Sequence, residues 1–154
     1  MTYMDAQSRT IYFVSSTRGD RDFKLYYGML IRHIKKYGTV LTEHIGYSAL
    51  TSYGELNISD EEIFRRDIKL LSEADVAIGD ISIPSLSVGY KIREIEAQKK
   101  RHLLLYYVPD GKRLSAMICG NKSLNVKNYK TIEDAIEYID AFFTELKWTK
   151  LKSK

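Results

Sequence analysis

A serine-rich turn that leads into a helix is the part of this sequence best suited to bind an anion. Within Asp80–Glu96, a turn containing Ser85, Ser87 and Gly89 precedes a helical pattern. Hydroxyl groups and free backbone N–H groups at a helix start suit an anion such as phosphate. The structural alternative is that the two serines cap the helix. Because capping and phosphate binding use the same groups, the two interpretations do not exclude each other.

A second polar loop, Ser15–Arg21, supplies cations that could meet the same anion. It contains Arg18 and Arg21. Arginine offers a planar fork of donors to phosphate oxygens. The alternative is an exposed ion pair with Asp20 or Asp22, and the residues alone leave the two interpretations even.

Candidate acid–base residues are few, and each has a structural alternative. Asp80 is favoured by its position at the end of an apolar run, whereas Asp67 follows two arginines in a helical pattern that is typical of a surface ion pair. Tyr12 lies in an apolar run typical of a core strand, and His44 is a lone histidine, which is more often structural. The sequence shows no metal-ligand spacing, Walker loop or Gly-x-Ser-x-Gly elbow, so no metal and no cofactor is predicted.

Short apolar runs separated by helical patterns predict alternating strands and helices. The predicted strands are Thr10–Val14, Thr39–Glu43, Asp75–Gly79, His102–Val108 and Ser123–Val126. The predicted helices run from Phe23 to Gly38, from a capping box at Ser59–Glu62 to Leu71, from Gly89 to about Lys100, from Leu114 to Ile118, and from Thr131 to Leu146. The stretch His44–Ile58 is predicted to be a long loop that could form a lid.

This alternation predicts an α/β fold, a doubly wound parallel sheet of five strands in the order 2-1-3-4-5 with helices on both faces. In that order the loops after strands one and three meet at the topological switch point, where ligands bind. The loops Ser15–Arg21 and Asp80–Gly89 should therefore face one ligand.

Composition is that of an ordinary globular chain. The 154 residues, 44% hydrophobic and 29% charged, predict a single domain over residues 1–154. The single Cys119 and the absence of a signal peptide or membrane-spanning run predict a cytoplasmic or nuclear protein without membrane contact. The net charge is +4, and part of it lies in a basic tail, residues 147–154, predicted to be solvated. No nucleic-acid-binding signature accompanies this charge, so no nucleic-acid partner is predicted.

Six segments, in order along the chain, carry a resemblance to a known family. They are Ile11–Gly19, Tyr37–His44, Arg66–Asp67, Ala74–Asp75, Pro84–Tyr90 and Leu114–Ile118. With these segments the chain resembles the 2'-deoxynucleoside 5'-phosphate N-hydrolases, a branch of the nucleoside 2-deoxyribosyltransferase superfamily. The resemblance implies a flavodoxin-like sheet, a homodimer, and hydrolysis of an N-glycosidic bond to free base and deoxyribose 5-phosphate.

The resemblance also implies roles for individual residues in binding a nucleoside 5'-monophosphate. Ser16, Arg18 and Gly19 match the loop that contacts the nucleotide. Ser85 and the loop to Gly89 match the site of the 5'-phosphate, although Ser87 stands where the family often has a second glycine. Ser115 matches a serine that reaches the phosphate from the neighbouring subunit. Dimerisation would then complete the site.

The catalytic positions include one departure from the family pattern. Tyr12 matches the tyrosine that orients the nucleophile, and Asp67 matches a carboxylate near the sugar and base. In the family a glutamate directly after Gly-Tyr attacks C1' of the deoxyribose, whereas here Lys91 follows Gly89 and Tyr90. An ammonium group has no lone pair with which to attack.

Three interpretations of Lys91 remain open. The chain could be an active N-glycosidase that uses another carboxylate, such as Glu94, Asp67 or Asp80. It could bind a nucleotide or act as a regulatory dimer without catalysis. The lysine could also be an introduced substitution that silences the enzyme. For Glu94, an ion pair with Lys91 three residues earlier on the helix is the more favoured structural alternative.

Overall fold

Five strands and five helices alternate along the part of the chain that a computed structural model describes, residues 9–16, 21–42, 58–107 and 113–151. The strands are β1 (Thr10–Val14), β2 (Thr39–Val40), β3 (Val76–Asp80), β4 (Arg101–Tyr106) and β5 (Val126–Asn128). The helices are α1 (Arg21–Ile34), α2 (Asp60–Glu73), α3 (Leu86–Ala97), α4 (Ala116–Cys119) and α5 (Ile132–Glu145).

The strands form one parallel sheet in the order β2-β1-β3-β4-β5, so the predicted fold class and strand order are confirmed. Val14 at the end of β1 lies opposite Gly79 near the end of β3. The chain segments that leave these two strands therefore start side by side, as the sequence predicted.

Side chains alternate along β1 and divide the core into two layers. Ile11 and Phe13 pack with residues of α1 and α5 on one face of the sheet. Tyr12 and Val14 point to the opposite face, where they pack with residues of α2 and α3 such as Leu71. This period-two alternation places Tyr12 under α2 and α3.

Among the strands, the second and the fifth differ most from their predicted bounds. The second strand was predicted as Thr39–Glu43, but it ends at Val40 because Thr42 turns its hydroxyl to the backbone N–H and C=O of Phe13, at 2.9 and 2.7 Å. The fifth was predicted as Ser123–Val126 but is Val126–Asn128, because the backbone N–H of Ser123 bonds the side chain of Asn121 in a turn.

The remaining predicted elements agree with the structure except near their ends. The capping box is present, with the Ser59 hydroxyl bonded to the N–H of Glu62 and the Glu62 carboxylate bonded to the N–H of Ser59. The third helix ends at Ala97, before Lys99 takes a φ of 51°. The predicted lid, apart from Ile58, lies outside the described residues.

The basic tail is not simply solvated as predicted. The ring of Trp148 stacks on Phe143 with 5.4 Å between centroids, and the N–H of Leu151 donates to the carbonyl of Lys36. Residues 152–154 lie outside the described part. Among the helices described, none has the length and apolarity needed to cross a membrane.

Candidate functional site

A buried ion pair joins α2 to α3 on the face of the sheet that holds Tyr12. The Nζ atom of Lys91 lies 3.0 Å from Oδ2 of Asp67, and their side chains are 10% and 15% exposed. Both residues were predicted as site residues, but no sequence pattern indicated that they are partners. The favoured alternative for Glu94, an ion pair with Lys91, is wrong because the ammonium turns to α2 instead.

Asp67 stands between two cations. Its Oδ1 atom accepts hydrogen bonds from Nε and Nη2 of Arg66, at 3.1 and 3.0 Å, while Oδ2 faces Lys91. The surface ion pair expected for Asp67 is therefore present, yet the carboxylate is largely shielded from solvent. Such shielding makes each charge depend on its partner, because desolvating a lone charge is costly.

Tyr12 lies beside this pair with an unused polar group. Its side chain is fully buried, and its hydroxyl has no hydrogen-bond partner within the described residues. Lys91 Nζ lies 5.6 Å from the centre of the Tyr12 ring, within cation–π range. Burial and the negative charge of Asp67 raise the pKa of Tyr12 well above its ordinary value, and the charge of Arg66 opposes this. The phenol therefore stays protonated and can donate a hydrogen bond.

The start of α3 has the capping structure that the sequence allowed. The Ser85 hydroxyl accepts from the N–H of Val88 at 3.4 Å and lies 2.9 Å from the hydroxyl of Ser87. Gly89, in the first turn, has no heavy atom within 4 Å of the position where a Cβ would stand. Two hydroxyls and an open helix surface thus lie together at this end of α3.

The end of β1 is only partly described. Ser15 and Ser16 are both buried, and the hydroxyl of Ser15 has no hydrogen-bond partner in the described part of the chain. Arg18, Gly19 and His44, which were predicted to belong to the site, lie outside the described residues.

Asp80 lies at the carboxyl edge of the sheet but on the opposite face from Tyr12. It is fully buried, and its carboxylate accepts from the hydroxyl of Tyr129 at 2.6 Å and from the N–H of Ser82 at 3.0 Å. Burial raises the pKa of Asp80, although these hydrogen bonds offset part of the rise. Asp80 therefore ties the ends of β3 and β5 together, and the structure does not bring it to the Lys91–Asp67 pair.

Two other candidates stand apart from that pair. Glu94 lies half-buried one turn beyond Lys91 on α3. Ser115 precedes α4, is exposed, and makes no side-chain capping bond. Within the described residues no group of three or more His, Cys, Asp or Glu side chains could hold a metal ion.

The one feature that sequence reasoning missed is the partnership of Asp67 with Lys91. The two residues belong to different helices, so neither helical spacing nor motif spacing connects them. The only available signal was that both were singled out separately by family resemblance. The resulting group combines an amine, a carboxylate and a protonated phenol, which together can bind a polar ligand and move protons.

The sequence of this chain is similar to those of several N-hydrolases over most of its length. No protein-family model matches it. The 5-hydroxymethyl-dUMP N-hydrolase of Danio rerio is 39% identical over 132 residues, which are 84% of this chain and 91% of the relative. A protein of Trichoplax adhaerens, provisionally named 2'-deoxynucleoside 5'-phosphate N-hydrolase 1, is 40% identical over 139 residues, 88% of this chain and 94% of the relative.

Solved structures share the fold at lower sequence identity. The CMP N-glycosidase BcmB of Clostridium botulinum superposes with a TM-score of 0.66 at 15% identity, covering 87% of this chain and 99% of that one. The 2-deoxyribosyltransferase of Bacillus psychrosaccharolyticus gives a TM-score of 0.60 at 19% identity, covering 93% and 99%. The chain thus has the nucleoside 2-deoxyribosyltransferase fold, and by its sequence it belongs to the family of 2'-deoxynucleoside 5'-phosphate N-hydrolases.

Proposed function

We propose that this chain binds a nucleoside 5'-monophosphate at the carboxyl edge of its sheet, between the segments that follow β1 and β3. The names of its relatives support this ligand class, since they act on 5-hydroxymethyl-dUMP or on deoxynucleoside 5'-phosphates. The observation that carries the proposal is the open, capped start of α3 beside the Lys91–Asp67 pair. That arrangement offers hydroxyls for an anion at one end and polar groups for a sugar at the other.

The proposed ligand lies along α3. Its 5'-phosphate contacts Ser85, Ser87 and the backbone near Gly89, while Ser16, Arg18 and Gly19 contact the nucleotide from the loop after β1. The deoxyribose lies near Tyr12, Asp67 and Lys91. In this pose the phenol of Tyr12 gains the hydrogen-bond partner that it lacks among the described residues.

The family's reaction at this site would be hydrolysis of the N-glycosidic bond to free base and deoxyribose 5-phosphate. A carboxylate nucleophile at position 91 is absent from this chain. Lys91 carries an ammonium paired with Asp67, whose own lone pairs are engaged by two cations. We therefore propose that the chain has lost the glutamate-dependent reaction and retains nucleotide binding, with any base release much slower than that of a chain with glutamate at position 91.

The alternative carboxylates are less suited to replace the glutamate. Asp80 faces the other side of the sheet, and Glu94 lies one turn farther from the start of α3. Asp67 is the only one of the three in contact with Lys91.

We also propose a homodimer in which Ser115 of the partner subunit reaches the phosphate. Exposed apolar side chains support this proposal. Leu86 at the start of α3 is 96% exposed, and Tyr90, one turn later, packs edge-on against exposed Phe64 of α2. Met117, beside Ser115, is 83% exposed. Apolar surface of this kind is typical of a subunit contact.

Binding is tested by thermal unfolding with each deoxynucleoside 5'-monophosphate and, as a control, with the nucleoside that lacks phosphate. A ligand at about 100 times its dissociation constant adds about 2.7 kcal/mol of stability, which is roughly 5–10 °C for a chain of this size. Ser85→Asp should remove the shift through charge repulsion, whereas Ser72→Asp, on the exposed side of α2, should retain it. The proposal fails if no monophosphate raises the melting temperature.

Hydrolysis is tested separately by chromatographic detection of free base. Lys91→Glu should release base at least about a hundredfold faster than the unchanged chain, because it restores a carboxylate nucleophile. Glu94→Gln in the Lys91→Glu background is the control and should change little. Release by the unchanged chain as fast as by Lys91→Glu would show that another residue performs the reaction.

A further inference from the structure

The Lys91–Asp67–Tyr12 group has the parts needed for amine chemistry. It contains a buried primary amine, a carboxylate 3.0 Å away that can accept its proton, and a buried phenol with no partner in the described part of the chain. A buried hydroxyl without a partner is unfavourable unless a ligand or water supplies one. An ion pair with a purely structural role does not explain why a hydroxyl without a hydrogen-bond partner is buried next to it. A ligand oxygen placed beside Tyr12 would supply that partner.

We propose that Lys91 forms a Schiff base with the aldehyde carbon of a sugar phosphate, of which 2-deoxyribose 5-phosphate is the member that this site would hold. The inference rests on the proposed function, because deoxyribose 5-phosphate is the sugar product of N-glycosidic hydrolysis of a deoxynucleoside 5'-phosphate. In its open form this sugar carries an aldehyde at C1, and aldehydes are the carbonyl partners of lysine amines.

The spacing along α3 fits a five-carbon sugar phosphate. Lys91 follows the cap residue Ser85 by six positions, which is about 9 Å along a helix at about 1.5 Å per residue. Helix side chains lean toward the N-terminus, so the amine of Lys91 should lie closer to Ser85 along the helix axis than its Cα atom does. A sugar with its phosphate at Ser85 can therefore present C1 near Nζ.

The reaction balances with the groups present. The ammonium of Lys91 gives one proton to Oδ2 of Asp67, and the free lone pair of Nζ adds to C1. The electron pair of the C1=O bond moves to the oxygen, which accepts a hydrogen bond from the phenol of Tyr12 and takes the proton back from the acid form of Asp67. A second proton from Nζ and that hydroxyl then leave as water, and a C1=N bond remains. Hydrolysis reverses these steps and releases the sugar phosphate.

The test is reductive trapping. The full chain is incubated with 2-deoxyribose 5-phosphate and a borohydride, and its intact mass is measured. We expect a gain equal to one sugar phosphate less one oxygen atom, because condensation loses water and reduction adds two hydrogens. Peptide mapping should place the label on Lys91. A label spread over several lysines, with none preferred, would overturn the inference.

Variants separate a reacting lysine from a structural one. Lys91→Met and Lys91→Arg should both abolish the adduct. Lys69→Met should retain it, because Lys69 lies on α2 near Asp67 but is 73% exposed. Asp67→Asn should slow labelling at least tenfold while the label stays on Lys91. If both Lys91 variants still gain the adduct at the rate of the unchanged chain, the assignment is wrong.

The same samples distinguish this inference from the proposed function. A chain whose melting temperature rises with a deoxynucleoside monophosphate, but which gives no adduct, retains the proposed function and refutes the Schiff base. A chain that shows neither a shift nor an adduct refutes both. Competition provides a positive check, because a deoxynucleoside monophosphate should suppress labelling and a phosphate-free deoxynucleoside should not.

Discussion

Removing either partner of the Lys91–Asp67 ion pair should reduce stability, and the two losses should be unequal. Asp67→Asn leaves Lys91 without any carboxylate within 4 Å among the described residues. Lys91→Met leaves Asp67 with a second cation, since Arg66 donates to its other oxygen. Both replacements keep nearly the same volume, so the difference between them reports charge rather than packing.

The magnitude follows from the separation and the burial of the two groups. Opposite charges 3.0 Å apart attract by about 5 kcal/mol at an effective dielectric of about 20. Desolvating two side chains that are 10% and 15% exposed cancels a large part of that attraction. We expect a coupling energy of about 2 kcal/mol, above the ~0.2–1 kcal/mol of exposed pairs. Asp67→Asn should lower the free energy of unfolding by about 3 kcal/mol and Lys91→Met by about 1 kcal/mol, because only the first substitution leaves a buried charge without a partner.

The assay is a double-mutant cycle by urea unfolding at neutral pH and moderate salt, with the unchanged chain, the two single variants and the double variant. Equal m-values would confirm that all four proteins expose the same amount of surface on unfolding. The exposed pair Lys69–Glu73, at 3.9 Å, is the matched control and should couple by less than about 0.5 kcal/mol. The reasoning is refuted if Lys91→Met costs as much as Asp67→Asn, or if the buried pair couples no more strongly than the exposed one.

Three further predictions concern the fold that positions the site. Burial raises the pKa of Asp80, so its protonated form favours the folded state. The free energy of unfolding of the unchanged chain, relative to that of Asp80→Asn, should be greatest below about pH 4 and should fall as the pH rises through the pKa of the folded state. An increase in this relative free energy between pH 4 and pH 8 would contradict the prediction. Gly79→Ala should cost about 1–3 kcal/mol because its Cβ would stand 2.8 Å from the carbonyl oxygen of Val14, whereas Gly89→Ala, with open space around it, should gain about 0.5–1 kcal/mol in the same calorimetric measurement. Ser59→Ala should cost about 1 kcal/mol by removing the capping box of α2, and an unchanged unfolding midpoint would show that the cap contributes nothing.

The sheet was predictable because its strands are read from local patterns. Thr10–Val14 is a run of β-branched and aromatic residues, and its buried alternation follows directly from a period of two. The weak strands were misplaced for a physical reason: at the sheet edges a few hydrogen bonds set the boundary. β2 ends early because the Thr42 side chain bonds the carbonyl of Phe13. β5 begins later in the sequence than predicted because the Asn121 side chain accepts a hydrogen bond from the N–H of Ser123.

The site was predictable only as a set of separate residues. Position at the carboxyl edge favoured Asp80, yet the direction of a side chain at a strand end depends on the register, and the register turns Asp80 toward Tyr129. Contact between α2 and α3 depends on how two helices pack, which no sequence spacing encodes. For that reason the partner of Lys91 was assigned to its own helix, where Glu94 stood, rather than to Asp67.

In the structure, the energetic environment of Lys91 is set by its burial rather than by the helix dipole. At the start of a helix a cation is disfavoured by the helix dipole by about 0.3–1 kcal/mol, but that effect fades within the first turn. Lys91 is the sixth residue of α3 and therefore lies in the second turn, where the dipole matters little. Its burial matters more, because the ammonium loses most of its hydration and depends on one carboxylate. Asp67, 3.0 Å away, is the carboxylate placed to take the proton that Lys91 must lose before its amine can add to a carbonyl group. The chemistry we propose for Lys91 thus uses the same close contact that forms its ion pair.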